Sequence, residues 1–228
     1  MAKIKKIAKN KQNIKVIVMG PPVSGKGTQA RLLAETLDIP HVSVGQLLHE
    51  IARDKKHPLA EEVAKYVNAG KMIPDEDLVN SLIRQRVRQD DCQDGYILDG
   101  YPRSIGQAKF LAENLSFNYV YLINVSDEII IERVVGRRVC PKGHSWHLKY
   151  LPTRRAGICD ICGGKLFQRK DDTKKIVQDR LKIYHEEMDK IISFYRRQGL
   201  LVKINGDQHV EEVFRDTVKV VVDDLLKK

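Results

Sequence analysis

Apolar and polar positions alternate along this chain in two rhythms. Ile14 to Met19 is a short apolar run with branched side chains, interrupted only by Lys15, a candidate buried strand. From Lys26, "KGTQARLLAETL" places Ala30, Leu33, Ala34 and Leu37 at helical spacing. "HVSV" at 41–44 reads as a second strand, followed by helical segments in "QLLHEIARD", "PLAEEVAKYVNAG" and "DEDLVNSLIRQRVRQ", with Gly70 as a stop for the middle one. "GYILDG" at 95–100 is a third strand, "IGQAKFLAENL" a helix, and "YVYLINV" at 119–125 a fourth strand. "SDEIIIERVVGRR" opens with an N-cap serine and an acidic first turn and predicts a helix. Residues 140–168 break the rhythm, with glycine, cysteine and basic side chains and little periodicity. Val177, Leu181, Tyr184, Met188, Ile191, Ile192 and Tyr195 then mark one face of a long helix, "LLVKING" is a fifth strand, and residues 209–226 form a last helix. Strands alternating with helices predict an α/β fold around a five-stranded parallel sheet. No internal repeat or low-complexity block interrupts it.

Composition adds little to that picture except charge. The 228 residues are 42% hydrophobic, enough for one sizeable core with small inserted lobes. Forty Lys+Arg against thirty Asp+Glu give a formal charge of +10, which favours polyanionic partners: nucleic acid, an anionic membrane surface or phosphorylated small molecules. No apolar run reaches the ~18 residues that span a bilayer, so no membrane partner is expected. The opening "MAKIKKIAKNKQN" has lysines but no apolar signal core, and residues 1–13 read as a flexible basic tail. Three of the four cysteines (92, 140, 159, 162) cluster, which in a chain with no export signal points to a metal site in a reducing cytoplasm rather than to disulfides.

Two stretches carry chemistry of their own. "GPPVSGKGT", residues 20–28, fits G-x-x-x-x-G-K between a strand and a helix. Loop amides and the helix N-terminus form a positive concavity for phosphate, Lys26 reaches the distal phosphates, and Thr28 offers its hydroxyl. The second stretch is "ICDICGGKL", in which Cys159 and Cys162 have metal-knuckle spacing with turn glycines after them. Cys140 lies upstream in "CPKGHSWH", with His144 and His147 as competing fourth ligands. Cys140, His144, Cys159 and Cys162 are the expected set, a closed site that would be structural. Cys92 has no ligand spacing and reads as a buried apolar thiol.

Taken together, "GPPVSGKGTQA", "NAGKMIPDE", "GYILDGYPRSIGQA", "ERVVGRRVC" and "FQRKDDTKKIVQDRL" resemble, in that order, the adenylate kinases of the nucleoside monophosphate kinase family, in their zinc-lid form. The resemblance runs from about residue 14 to the end. It implies transfer of the γ-phosphoryl group of MgATP to AMP, giving two ADP, by a cytoplasmic monomer. It also implies a core of 14–44, 75–136 and 174–228, a monophosphate-binding lobe of 45–74 and a zinc-binding lid of 137–173. Implied on the phosphates are Lys26, Arg103, Arg137, Arg169 and Arg180, with Asp99 orienting water on Mg²⁺. On the ATP side it implies Val23, Ser24, Gly25, Gly27, Thr28, Arg133 against the adenine, Ser145, Trp146 and Gln208. On the AMP side it implies Val44, His49, Lys71, Met72, Ile73, Gly100 and Gln107, the last reading the adenine edge. Asp171 and Asp172 match the acids of the lid hinge.

The chain departs from that pattern at several positions. Val23 stands where such loops have glycine, so a positive φ there would strain it. Val44, Gln46 and His49 replace a threonine, an aspartate and an arginine on the AMP side, and Gln208 replaces a lysine. These changes also admit a UMP- or CMP-preferring kinase. A nucleic-acid-binding zinc protein is the rival of another class, with few aromatic residues among its basic ones to stack on bases.

Overall fold

The computed structural model describes residues 13–69, 71–169 and 172–227, the last four of these by backbone alone. The basic tail, the Gly70 helix stop and Asp171 lie outside the described residues.

Branched apolar runs become the strands. β1 (Ile14–Met19) is flanked by β3 (Gly95–Asp99) and β4 (Tyr119–Asn124); β2 (His41–Ser43) lies beyond β3 and β7 (Leu201–Asn205) beyond β4, giving the order β2-β3-β1-β4-β7, all parallel. Period-2 alternation sends successive side chains to opposite faces. Ile17, Met19, Leu98, Val120 and Leu122 enter one apolar cluster, while Val16, Val18, Ile97, Tyr121 and Ile123 enter the other. Both faces are therefore covered, which is why β1 is apolar from Val16 to Met19 rather than alternating.

Helices fill the connections. On one face lie α1 (Lys26–Leu37), α6 (Asp127–Gly136) and α8 (Val210–Lys227), contributing Leu33, Ile130 and Val213 among others. On the other lie α2 (Val44–Arg53), α3 (Ala60–Val67), α4 (Glu76–Val87) and α5 (Ile105–Asn114). The long helix α7 (Lys174–Arg197) serves both: Val177 and Leu181 join the cluster of Val16 and Ile97, Met188, Ile191 and Tyr195 that of Ile17 and Leu98. At 1.5 Å per residue it is about 36 Å long, enough to pass from one face to the other.

Three local expectations need correction. Val44 is not strand but the buried first residue of α2, because Ser43 is extended and starts the helix one residue earlier. The helix expected to run through "GRR" stops at Gly136, and Arg137 opens β5 (Arg137–Val139). The stretch without periodicity is not irregular throughout: β5 pairs antiparallel with β6 (Ser145–His147), and Val139 bridges to Phe167. These strands are too short for a period to register, and turns at the cysteines dominate the composition.

Candidate functional site

The phosphate loop joins β1 to α1 at the carboxyl edge of the sheet, where ligands of open parallel sheets bind. Gly25 caps α1 with φ 89°, and no side chain caps the helix, so its first amides are left for an anion. Buried Ser24 accepts from the Lys26 amide at 3.3 Å, and the Ser24 amide donates to the Pro21 carbonyl at 3.2 Å. Lys26 Nζ folds back to donate to the Pro21 carbonyl at 3.2 Å. Burial lowers its pKa, opposed by Asp99 and reinforced by Arg103 and Arg137. Gly27 and Thr28 form the first helical turn. A Cβ at Gly27 would sit 3.2 Å from Asp99 Oδ2, so the bare glycine lets helix and carboxylate meet. Val23 takes φ 61°, the strained left-handed region, and packs its side chain against the cluster below.

Asp99 closes β3 and is buried. Its Oδ2 faces His41 Nε2 at 3.3 Å, and its Oδ1 is buried with no hydrogen-bond partner in the protein. An orphaned carboxylate oxygen beside a phosphate loop suits a water on a phosphate-bound cation. The next residues form a tight corner: Gly100, Tyr101 and a cis Pro102 lead to Arg103. Arg103 Nε donates to the Gly100 carbonyl at 2.8 Å, and its amide to Gln107 Oε1 at 2.8 Å. Ser104 caps α5 by accepting from the Gln107 amide. Arg103 keeps accessible surface yet is crowded on the cleft side; that burial lowers its pKa, with Asp99 opposing and Arg180 adding.

Lys26 and Arg103 therefore share the field of Asp99, with Arg137 acting on Lys26 and Arg180 on Arg103. Arg137 Nε donates to Asp172 Oδ2 at 2.9 Å, and Nη2 to Oδ1, across the two ends of the 137–173 segment. Asp172 is 3% exposed, so the pair is a buried one in which each charge needs the other. His49, on the exposed side of α2, has its pKa lowered by burial and by the charges of Arg53 and Arg169. Arg169 thus lies close enough to α2 for its charge to act on His49. Lys71 and Met72, which follow α3, are exposed, Ile73 is buried, and Val44 begins α2. Gln107 is 3% exposed and commits its oxygen to Arg103.

On the far side of the loop, Arg133 Nη2 donates to the Gly206 carbonyl at 2.8 Å and Nη1 to the Ser24 carbonyl at 3.3 Å. Gln208, two residues past Gly206, donates to the Asn205 carbonyl and to Asp216 rather than facing outward. Ser145 is exposed on β6, while Trp146 Nε1 donates to Cys159 Sγ at 3.3 Å.

Cys140, His144, Cys159 and Cys162 put four ligand atoms within 4.8 Å of one another. His144 Nδ1 lies 3.3 Å from Cys140 Sγ and 3.4 Å from Cys159 Sγ, and Cys162 lies 3.5 Å from Cys140. Those spacings suit a tetrahedral ion with sulfur ligands at about 2.3 Å. Two tight turns deliver the ligands: Gly143 N bonds the Cys140 carbonyl, and Gly163 N the Cys159 carbonyl. Burial opposes ionisation of Cys159, but the Cys162 amide, the Trp146 indole and the Ile161 amide bring its pKa down to about 6. A thiolate is the form a metal binds. His147 is not in the set; its Nε2 faces the Arg133 carbonyl at 3.1 Å. Cys92 is buried, with Arg86 Nη1 at 3.0 Å from its sulfur.

Two contributors escaped sequence reasoning. His41 reaches Asp99 only because β2 pairs with β3 in the register His41 to Ile97 and Ser43 to Asp99. Tyr150 lies with its ring centroid 5.5 Å from the Arg133 guanidinium carbon, a pairing across chain-distant elements that no local pattern signals.

Comparison with known proteins meets this geometry from the other direction. The family model described as adenylate kinase matches residues 18–200. An adenylate kinase of Clostridium beijerinckii is 41% identical over 208 residues, covering 89% of this chain and 95% of its own. One of Symbiobacterium thermophilum is 43% identical over 212 residues, covering 90% and 97%. A phosphate loop on a five-stranded parallel sheet, an orphaned carboxylate beside it, and similarity along nearly the whole length agree: the chain belongs to the adenylate kinase family.

Proposed function

We propose that the cations gathered at the carboxyl edge of the sheet perform the family's reaction, reversible transfer of the ATP γ-phosphoryl group to AMP. An AMP phosphate oxygen attacks the γ-phosphorus, the bond to the β-bridging oxygen breaks, and both products are ADP. Such a transfer needs positioning and charge neutralisation more than covalent chemistry. The observation carrying the reading is the partnerless Asp99 oxygen beside the uncapped start of the phosphate-loop helix, with Lys26 and Arg103 in the field of that carboxylate.

In this reading the amides of residues 23–28 and Lys26 hold the ATP phosphates, Arg133 lies against the ATP base, and Ser145, Trp146 and Gln208 complete that side. Arg103 and Arg180 sit between the two nucleotides, and Arg137 joins them from the lid. Arg169, His49, Val44 and residues 71–73 face the AMP phosphate and ribose, with Gly100 in the turn beneath. Magnesium, when bound with ATP, neutralises charge on the β- and γ-phosphates, and Asp99 is placed to hold its water. Gln107, its oxygen engaged by Arg103, reads a base edge through its amide hydrogens. Those favour a ring nitrogen that accepts, as N1 of adenine does and N1 of guanine does not.

The same reading makes residues 14–44, 75–136 and 174–228 a core. Segments 45–74 and 137–173 then act as lobes that close to exclude water. The Cys₃His cluster suits zinc in a structural role, folding a lid segment too short to bury a core of its own. Among the described residues no helix is long and apolar enough to cross a membrane. The reading takes the enzyme as a cytoplasmic monomer working on ATP and AMP.

A coupled assay of ADP formation, run with AMP, GMP, CMP and UMP as acceptors, tests the proposal. AMP is expected to be used best, and Arg103→Ala to cut kcat by at least about 100-fold, the scale of losing one transition-state contact. No ADP from ATP and AMP, or full activity in Arg103→Ala, would overturn it.

A further inference from the structure

We infer that Tyr150 is a positioning residue for the ATP side: it fixes the plane of the Arg133 guanidinium, and His147 and Glu132 in turn fix Tyr150. The inference rests on the reading that Arg133 serves the ATP base.

Arg133 projects from α6, but part of its setting comes from the turn after β6. Two carbonyls, of Ser24 and Gly206, take its N–H groups, which constrains the plane along its edge and leaves its faces to be held by what packs against them. The Tyr150 ring lies 5.5 Å from the guanidinium carbon, within cation–π range. A planar cation backed by an aromatic ring on one side presents its other side flat to a base.

Tyr150 is itself anchored at three points. Its hydroxyl donates to Glu132 Oε1 at 2.5 Å, and Lys149 Nζ donates to the same oxygen at 3.0 Å. The backbone amides of Lys149 and Tyr150 both donate to His147 Nδ1 at 3.0 Å. An Nδ1 that accepts twice must be unprotonated, so Nε2 carries the hydrogen and donates to the Arg133 carbonyl. The Tyr150 and His147 rings lie 4.7 Å apart. His147 occupies the space a side chain at 136 would need: a Cβ on Gly136 would fall 2.4 Å from the imidazole. One imidazole thus ties the main chain of α6 at Arg133 to the turn that carries Tyr150, and one carboxylate on α6 ties down its hydroxyl. The seat of the ATP-side arginine is shared between the helix and the segment that follows it.

The test compares Tyr150→Leu, Arg133→Ala and the double variant, each folded by thermal unfolding, for KM of ATP, KM of AMP and affinity for a non-hydrolysable ATP analogue by calorimetry. Tyr150→Leu is expected to weaken ATP and the analogue about 3- to 10-fold, the range of a partly desolvated cation–π contact, with KM of AMP unchanged. In the double variant the Tyr150 effect should vanish, since its target is gone. Glu132→Gln, which keeps the ring and loosens its anchor, should show a smaller loss in the same direction and serves if Tyr150→Leu does not fold. An Arg133→Ala variant with unchanged ATP affinity would overturn the reading of Arg133 and the inference with it. If Arg133→Ala weakens ATP while neither Tyr150→Leu nor Glu132→Gln does, or if the losses simply add, the reading of Arg133 stands and the role of Tyr150 is overturned.

Discussion

Val23 shows what a single residue can hold against its own preference. A β-branched side chain at φ 61° costs on the order of 1–3 kcal/mol. Glycine would remove that strain but lose the packing of Val23 and add about 1 kcal/mol of unfolded-state entropy. Val23→Gly is therefore expected to change stability by no more than about 1 kcal/mol, in the stabilising direction, in denaturant titration. A loss above 2 kcal/mol would show that packing outweighs strain. At His49 the issue is charge. Burial and the neighbouring Arg53 and Arg169 hold its pKa below the usual histidine value, so it is neutral at pH 7.5. His49→Arg adds a permanent cation there, and KM for AMP at pH 7.5 should fall several-fold; an unchanged KM would remove His49 from the AMP side. The cysteines give the clearest residue-level test. Cys162→Ser should abolish bound zinc in elemental analysis, against about one per chain in the parent.

At the scale of elements, the joints between α6, β5 and α7 decide more than the elements themselves. Arg137 and Asp172 clasp the two ends of the 137–173 segment through a buried bidentate pair. Asp172→Asn leaves that guanidinium without its counter-charge, and a loss of about 3–5 kcal/mol is expected, the usual result of breaking one half of a buried pair. A loss under 1 kcal/mol would mean the charges are solvated. His147 makes the joint at Arg133 sensitive to acid. Burial lowers its pKa, the Arg133 carbonyl opposes, and the charges of Arg133 and Arg138 add to the lowering against Glu132. The unfolded chain then binds a proton, near pH 6.5, that the folded protein refuses. Its contribution is fully present above that pH and declines as pH falls below it toward the lower folded value. The slope of stability against pH in that window should flatten in His147→Asn, whose amide oxygen can still accept from the turn. Helix existence was legible in the sequence here. The joints were not, because one residue of difference at Gly136 turns Arg137 from helix to strand, and what decides it is pairing with β6 and the clasp to Asp172.

For the whole molecule, the proposed function draws on cations held close together at one edge of a sheet. Burial, with Arg103 and Arg137, lowers the proton affinity of Lys26, and burial with Arg180 lowers that of Arg103, so an anionic ligand that spans them would relieve the repulsion. A dinucleotide joining two adenosines through five phosphates should therefore stabilise the folded state strongly. At 100 times its Kd the gain is about 2.7 kcal/mol, which for a chain of this size raises Tm by roughly 5–10 °C. AMP alone should give less, because it reaches only part of the set. No shift with the dinucleotide would mean that the cations do not converge on a common ligand.

By itself the sequence determined the order and type of the core elements, the phosphate loop, the clustering of three cysteines and the family. All of these are written in local spacing or in motifs of a few residues, where backbone geometry and side-chain chemistry act over one or two turns. Only the tertiary structure decided that Val23 takes a left-handed backbone, that His144 rather than His147 joins the cysteines, that Asp99 keeps one oxygen free beside His41, and that Tyr150 backs Arg133. Each is a contact between residues brought together by strand register or by a turn in the 137–173 segment. Such contacts depend on how whole faces pack, and packing across long stretches of chain leaves no period for a local reading to find.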